Sequence, residues 1–205
     1  MTQVLDATYP QPRTLARAAQ LVREGAIIAF PTDSCYALGC HLGDKKAVDR
    51  LRALRDLDER HHLTLMCRDL SDIAKYARVD NRQYRLLKMA TPGSYVFILE
   101  GTKELPRRVM HPKRKTIGLR VPDHPVAQAL LTELDEPLLT ATLLLPGDEM
   151  PLSEGWEIEE RLKGQLDLLL DGGFCGTEPT TVIDLTDASP ALVRAGKGSL
   201  APFNL

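Results

Sequence analysis

Five apolar residues in a row, Ala26 to Phe30 (AIIAF), end abruptly at Pro31. A run of that length is too short for a helix and has no polar side, so it reads as a buried strand. A second such run, LDLLLDGG (166–173), closes on paired glycines. Outside these runs the periodicity changes. In TLARAAQLVRE (14–24), Leu15, Ala18, Ala19 and Val22 share one helical stripe with charge on the other side. Thr14 is its expected N-cap and Gly25 its stop. Further helices are predicted over 44–56, with Asp44 as cap, and over 69–78, 81–90, 125–134 and 156–163. Further strands are predicted over 4–7, 63–67, 94–101, 116–121 and 137–147, and 180–186 with 191–196 reads as a β-hairpin. Helices and strands alternate early and strands dominate late. The expected fold is α+β (mixed α/β): a twisted mixed sheet flanked by helices.

The chain has 205 residues, 43% hydrophobic and 26% charged. These values sit near the globular average and exclude disorder, collagen and low complexity. With no internal repeat and no long linker, residues 1–205 are expected to form one domain. The formal net charge of −2 gives no bulk argument for nucleic-acid or membrane binding. No apolar run reaches membrane-spanning length, and MTQVLDATYPQPRT lacks a charged-then-apolar signal pattern. Four cysteines do not make a disulfide scaffold at this size. The expectation is a cytoplasmic protein with reduced thiols and no membrane partner.

The near-zero total hides two regions. Lys103, Arg107, Arg108, Lys113, Arg114, Lys115 and Arg120 fall in one stretch opposed only by Glu104, whereas nine acids and no Lys or Arg lie between Glu133 and Glu160. The triad Lys113-Arg114-Lys115 suits polyphosphate or a nucleic-acid backbone, and it equally suits a solvated loop. Arg120 lies inside the strand pattern TIGLRV. A charge there must be paired, so it faces a polar cavity. FPTDSCYALGC (30–40) follows a buried strand, a common place for ligands. Thr32 and Ser34 could donate there to a carboxylate or phosphate, and Thr32, Asp33 and Ser34 also build a turn. Thr140 and Thr142 alternate in a strand and share a face. With Thr180, Thr181 and Arg194 they form a set of hydroxyls and a cation near strand ends. Thr is also a good strand residue, so structure alone explains any one of them and only convergence would signal a site. Cys35 and Cys40 have no partner pair and no His at ligand spacing, and the rings of His61 and His62 should diverge, so no metal site is expected. GxSxG, GxxxxGK[ST] and GxGxxG are absent, and Gly172, Gly173 and Gly176 read as a turn. Aromatic residues are 5%, which argues against single-strand binding by base stacking.

Taken in order, FPTDSCYALGC, LTLMCRDLSD, TPGSYVFILEGTKELPRR, KRKTIGLRVPDHP, PLLTAT, EPTTVIDLT and LVRAGKGS resemble the YrdC/YciO family, the relatives of threonylcarbamoyl-AMP synthase. They span about residues 15–200. LTLMCRDLSD and KRKTIGLRVP are most similar to the YciO branch. The resemblance implies a twisted open mixed sheet with a large concave surface. It also implies a nucleotidyltransferase activity that joins L-threonine, bicarbonate and ATP, with Mg²⁺, into threonylcarbamoyl-adenylate and pyrophosphate. That product serves the threonylcarbamoyladenosine modification of tRNA. By the same resemblance Thr32, Arg55, Arg120, Thr140, Thr142, Thr180 and Arg194 bind substrate or nucleotide. Catalytic groups in the proton-transfer sense are not assigned. Double-stranded RNA binding without turnover is the alternative, with Lys113, Arg114 and Lys115 on the phosphates. The chain departs from the synthases at three positions. Leu57 replaces a cation of their Lys-x-Arg-Pro motif, of which Arg55 is kept. Leu144 replaces an Asn, and Val96 a hydroxyl.

Overall fold

The computed structural model describes residues 1–205. Ten strands form one mixed sheet: β1 (Gln3–Asp6), β2 (Ile28–Phe30), β3 (Ala37–His41), β4 (Thr64–Met66), β5 (Tyr95–Glu100), β6 (Thr116–Arg120), β7 (Leu138–Thr142), β8 (Leu168–Asp171), β9 (Thr181–Asp184) and β10 (Ala191–Arg194). Their spatial order is β1-β8-β2-β3-β7-β4-β6-β5-β9-β10. The pairs β1/β8, β2/β8, β4/β6 and β5/β9 are parallel and the others antiparallel. Six helices accompany them: α1 (Pro12–Arg23), α2 (Lys45–Arg55), α3 (Leu70–Tyr76), α4 (Asn81–Ala90), α5 (Pro125–Leu134) and α6 (Gly155–Arg161). This is the mixed α/β architecture expected from the sequence. No helix is long and apolar enough to cross a membrane.

Local chemistry accounts for most boundaries. The Asp44 carboxylate accepts from Ala47 N at 3.0 Å and starts α2 as anticipated. Asp80 and Gln83 exchange side-chain and backbone hydrogen bonds in a capping box that starts α4. The start of α1 corrects the expected cap. Gln11, not Thr14, is the N-cap, because Pro12 takes the first helical position. Proline is preset there for helical φ and lacks only an N–H that would find no partner. Gly25, at φ +90°, ends the same helix as expected. The strand β3 went unread in FPTDSCYALGC because its center is a glycine. A Cβ on Gly39 would lie 2.5 Å from Leu138 Cδ2 and 2.9 Å from Phe30 Cε1, so the position is small because its neighbors are close.

The two sheet faces are covered unequally. One face carries Leu38, Cys40, Leu65, Phe97, Leu119, Leu139 and Ile183, which pack with apolar residues of α2, α3, α4 and α6 in the larger core cluster. The other face carries Ile28, Phe30, Ala37, Met66, Leu138, Leu168 and Leu170, which pack beneath α1 and α5. Those two helices pack on each other and cover only part of it. Thr140 and Thr142 follow Leu138 on this face, and Thr64 pairs with Thr140 and Gly118 in register. Ile98 pairs with Gly118 and Val96 with Val182, extending the same face toward β9. No helix lies over these residues, and they line a cavity.

The center and edge of the sheet should respond differently to truncation. Leu139 is fully buried on β7, so Leu139→Ala is expected to cost about 2–5 kcal/mol in urea unfolding, from lost transfer energy and the void left behind. Leu192→Ala on the exposed edge strand β10 should stay within about 0.5 kcal/mol.

Candidate functional site

The uncovered part of the sheet and the loops beyond its strand ends enclose a cavity of about 820 Å³. Arg55, Arg120, Thr140, Thr142, Thr180 and Arg194 all line it. These residues come from α2, β6, β7, the segment before β9, and β10. Val96, Ile98, Val182 and Val193 make an apolar wall, while Glu149, Met150, Pro151, Thr177 and Glu178 also contribute to the lining.

Arg120 is the deepest cation, with 5% of its surface exposed. Its guanidinium forms an ion pair with the Asp33 carboxylate and donates to Thr32 Oγ1 at 3.3 Å. Its Nε is buried and has no partner. Ser94 Oγ donates to Asp33 Oδ2 at 3.0 Å, and Lys197 Nζ donates to the Asp33 carbonyl, so Asp33 is held from three sides. Burial lowers the Arg120 pKa and Asp33 opposes that shift. The pairing expected of a strand arginine is therefore present, and its partner is the acid next to Thr32.

Thr32 lies behind the cavity wall. Its hydroxyl donates to Cys35 O at 2.6 Å and receives Ser34 N and Cys35 N at 3.2 and 3.3 Å. It therefore both knots its own turn and touches Arg120. The turn reading of the sequence is therefore what the structure shows for Thr32, and its hydroxyl is turned to the frame and to Arg120, outside the cavity lining.

At another part of the lining the charges are not neutralized. The Arg55 guanidinium donates to the Leu144 carbonyl, and its Nε is buried without a partner. Arg194 donates to Thr180 O from Nε at 3.2 Å and from a terminal nitrogen at 2.9 Å, and to Thr180 Oγ1 at 3.1 Å. Those acceptors are carbonyls and a hydroxyl, so neither positive charge is cancelled. Burial lowers the Arg55 pKa and nearby Arg194 lowers it further. A guanidinium whose charge is disfavored by a second, unneutralized one beside it is a site for an anion. The backbone allows little slack here: a Cβ on Gly196 would lie 2.3 Å from Pro179 O, so the turn after Arg194 packs directly on the segment that holds Thr180.

The hydroxyls divide by their bonding. Thr140 Oγ1 donates to Thr64 O at 2.9 Å across β7 and β4, while Thr142 is half-exposed at the strand end. Thr181 donates to Gly198 O at 2.6 Å and belongs to the β9 frame, outside the cavity lining. Cys35 lines the cavity, but burial pushes its thiol up to about 11, with Cys175 adding to the shift. The neutral thiol is a poor nucleophile at neutral pH. No group of three or more His, Cys, Asp or Glu residues is gathered where it could hold a metal ion.

The basic triad stands apart from this cavity. Lys113, Arg114 and Lys115 are exposed, and Arg114 is engaged by Asp184 at 2.7 Å and by Thr186 Oγ1 at 3.0 Å. The three positions at which the chain departs from the synthases are spread differently. Leu57 packs against the larger core, whereas Val96 and Leu144 line the cavity.

Sequence reasoning missed Asp33 as the partner of Arg120, and it missed His61 and His62 as lining residues. The need of a buried strand arginine for a carboxylate was the available signal for Asp33. The two rings do have different surroundings. His62 Nε2 lies 2.7 Å from Thr116 Oγ1 and its ring stacks on His111, while His61 sits near Arg55 and Arg52. Both nevertheless line the same cavity, which their adjacency in sequence did not suggest.

Comparisons with known proteins agree with this geometry. The Sua5/YciO/YrdC family model, described as telomere recombination, matches residues 20–196. The chain is 54% identical over 194 residues to the uncharacterized protein YciO of Escherichia coli strain K12, covering 95% of this chain and 94% of that one. It is 30% identical over 176 residues to the threonylcarbamoyl-AMP synthase of Halorhodospira halophila, covering 85% and 91%. Its fold matches the crystal structure of E. coli YciO with a TM-score of 0.95 at 52% identity, over 99% of this chain and 100% of that one. It also matches P. abyssi Sua5 complexed with L-threonine with a TM-score of 0.86 at 26% identity, over 96% of this chain and 57% of that one. The overall fold described above is thus shared with these relatives, and the chain belongs to the Sua5/YciO/YrdC family.

Proposed function

We propose that this protein joins L-threonine, bicarbonate and ATP into threonylcarbamoyl-adenylate and releases pyrophosphate, supplying the threonylcarbamoyl group for tRNA adenosine. The observation that carries this reading is the pair Arg55 and Arg194, unneutralized in a cavity that also holds Arg120. A ligand carrying a phosphate matches the one region whose charge is left unneutralized, while Arg120, already paired with Asp33, shapes the lining beyond it. The names of the relatives support the same reading, since several are threonylcarbamoyl-AMP synthases and one Sua5 structure contains L-threonine.

The chemistry asks for little proton transfer. Threonine and bicarbonate first give a carbamate with loss of water. A carbamate oxygen then attacks the α-phosphorus of ATP, an O–P bond forms, the bond to the bridging oxygen of the β-phosphate breaks, and pyrophosphate leaves. The chain's part is to align the two anions and stabilize the charge that builds on the phosphoryl oxygens. Arg55 and Arg194 supply the charge, Thr142 and Thr180 the hydroxyls, and the Val96, Ile98 and Val182 wall a dry face for the nucleoside. Mg²⁺ would arrive bound to the ATP phosphates, because the lining holds only Glu149 and Glu178 as acids.

The test is pyrophosphate release with ATP, Mg²⁺, L-threonine and bicarbonate. Release above a control lacking threonine is expected. Its absence at enzyme levels able to reveal a thousandfold defect overturns the reading. Arg194→Ala should lower kcat/KM by about ten- to a hundredfold, the value of one charge-assisted contact. Restoring polar groups with Val96→Thr and Leu144→Asn should raise turnover, each by about tenfold.

A second reading, a duplex-RNA-binding surface without turnover, rests on the exposed cations Lys113 and Lys115. Replacing both with Ala should weaken binding to all duplex sequences alike and lower the salt slope by about two. Arg114→Ala should change that slope little, because Asp184 already engages its charge. Unchanged binding by the double variant at low salt removes this surface from consideration.

A further inference from the structure

His61 lines the cavity together with Arg55 and Arg194. Its backbone is fixed by a turn: Asp58 Oδ1 accepts from Arg60 N at 2.8 Å and from His61 N at 3.0 Å. Arg52 ties that turn to α2 by donating to Asp58 O at 2.7 Å. The neighboring His62 is held at Nε2 by Thr116 Oγ1, whereas the ring nitrogens of His61 are not engaged by any group of the chain. The His61 main chain is therefore fixed at the cavity, and its imidazole is left free to interact at its ring.

We propose that His61 couples anion binding to proton uptake, its imidazole neutral in the empty cavity and protonated when an adenylate phosphate lies beside Arg55 and Arg194. This inference rests on the reading of the cavity as an anion site. The groups that act on His61 come from several elements. Arg52 and Arg55 of α2 and Arg194 of β10 disfavor its charge, and Asp58 on its own turn favors it. Arg60, Glu149, Glu178 and the Asp33-paired Arg120 complete the charged lining. His61 is exposed at the cavity rim; its partial desolvation there is the largest effect and keeps the imidazole below its ordinary range, followed by Arg55. His62 sits lower still, at about 4, because of its own burial, and stays neutral throughout the range that matters.

A bound phosphate changes the sign of the local field. It neutralizes the two guanidiniums that disfavor the imidazolium and gives the new N–H an acceptor. Binding then draws a proton from solvent at any pH between the free and the bound pKa of His61. By linkage the same coupling makes anion affinity rise as pH falls through that window and level off on either side.

Calorimetry with adenosine 5′-phosphosulfate tests this, because that adenylate is an anion with no group titrating near neutral pH. Titrations in two buffers of different ionization enthalpy, repeated from about pH 8 to about pH 5.5, count the protons. The wild-type protein should take up a fraction of a proton, never more than one, and bind up to about tenfold tighter per pH unit within the window. His61→Gln should bind without that uptake and with a flat pH profile. His61→Lys, charged throughout, should be flat as well and should bind at high pH as tightly as the wild type does at low pH. His62→Gln should keep the wild-type profile. Binding by the wild type with no proton uptake, or with the same uptake in His61→Gln, overturns the coupling and leaves the anion site standing. No binding at any pH overturns both.

Discussion

A guanidinium buried within a β-sheet sets the terms for everything around it. Arg120 sits at the end of β6, almost wholly out of water, and it is tolerable there only because Asp33 meets it. Losing either partner would strand the other charge in the interior, at a cost of about 3–5 kcal/mol. The pair therefore ties the loop after β2 to the end of β6. Ser94 and Lys197 tie two further segments to the same carboxylate residue. Four parts of the chain that are distant in sequence converge on one ionic anchor, and the cavity wall is built on it.

The cavity itself follows from incomplete coverage. Helices α1 and α5 lie over only part of their sheet face, and the remaining positions of that face carry Thr64, Thr140, Val96, Ile98 and Val182. A sheet face without a helix must be capped by loops, lined by polar groups, or filled by a ligand. Here the lining is divided. An apolar side comes from β5, β9 and β10, and a cationic side comes from the C-terminus of α2 and from β10. Arg55 and Arg194 donate to carbonyls and keep their charge, whereas Arg120 spends its charge on Asp33. The same residue type thus does two jobs, and the difference lies in the acceptor.

Much of the frame was legible. The apolar runs at 26–30 and 166–170, the helical stripes at 14–24 and 125–134, and the Asp44 cap are short-range signals that the structure keeps. The failures are as local in cause. Thr14 lost the cap to Gln11 because Pro12 could start the helix three residues earlier, and β3 was hidden by Gly39, whose presence reflects the side chains of Leu138 and Phe30. The Arg120 argument worked because burial of a charge is a demand that any fold must answer. The identity of the answer, Asp33, was not legible, since it depends on which loop the β6 end meets.

By itself the sequence determined most of the segments that form strands and helices, that Arg120 needed a partner, and that Thr140 and Thr142 share a face. These follow from period, propensity and desolvation, all of which act within a few residues. Only the tertiary structure decided that Arg194 lies close enough to Arg55 to disfavor its charge, that Thr32 stands behind Arg120 and not in the cavity, and that Asp184 engages Arg114. Each of those depends on pairing between strands far apart in the chain, and strand order is set by the packing of the whole sheet, which no local pattern encodes.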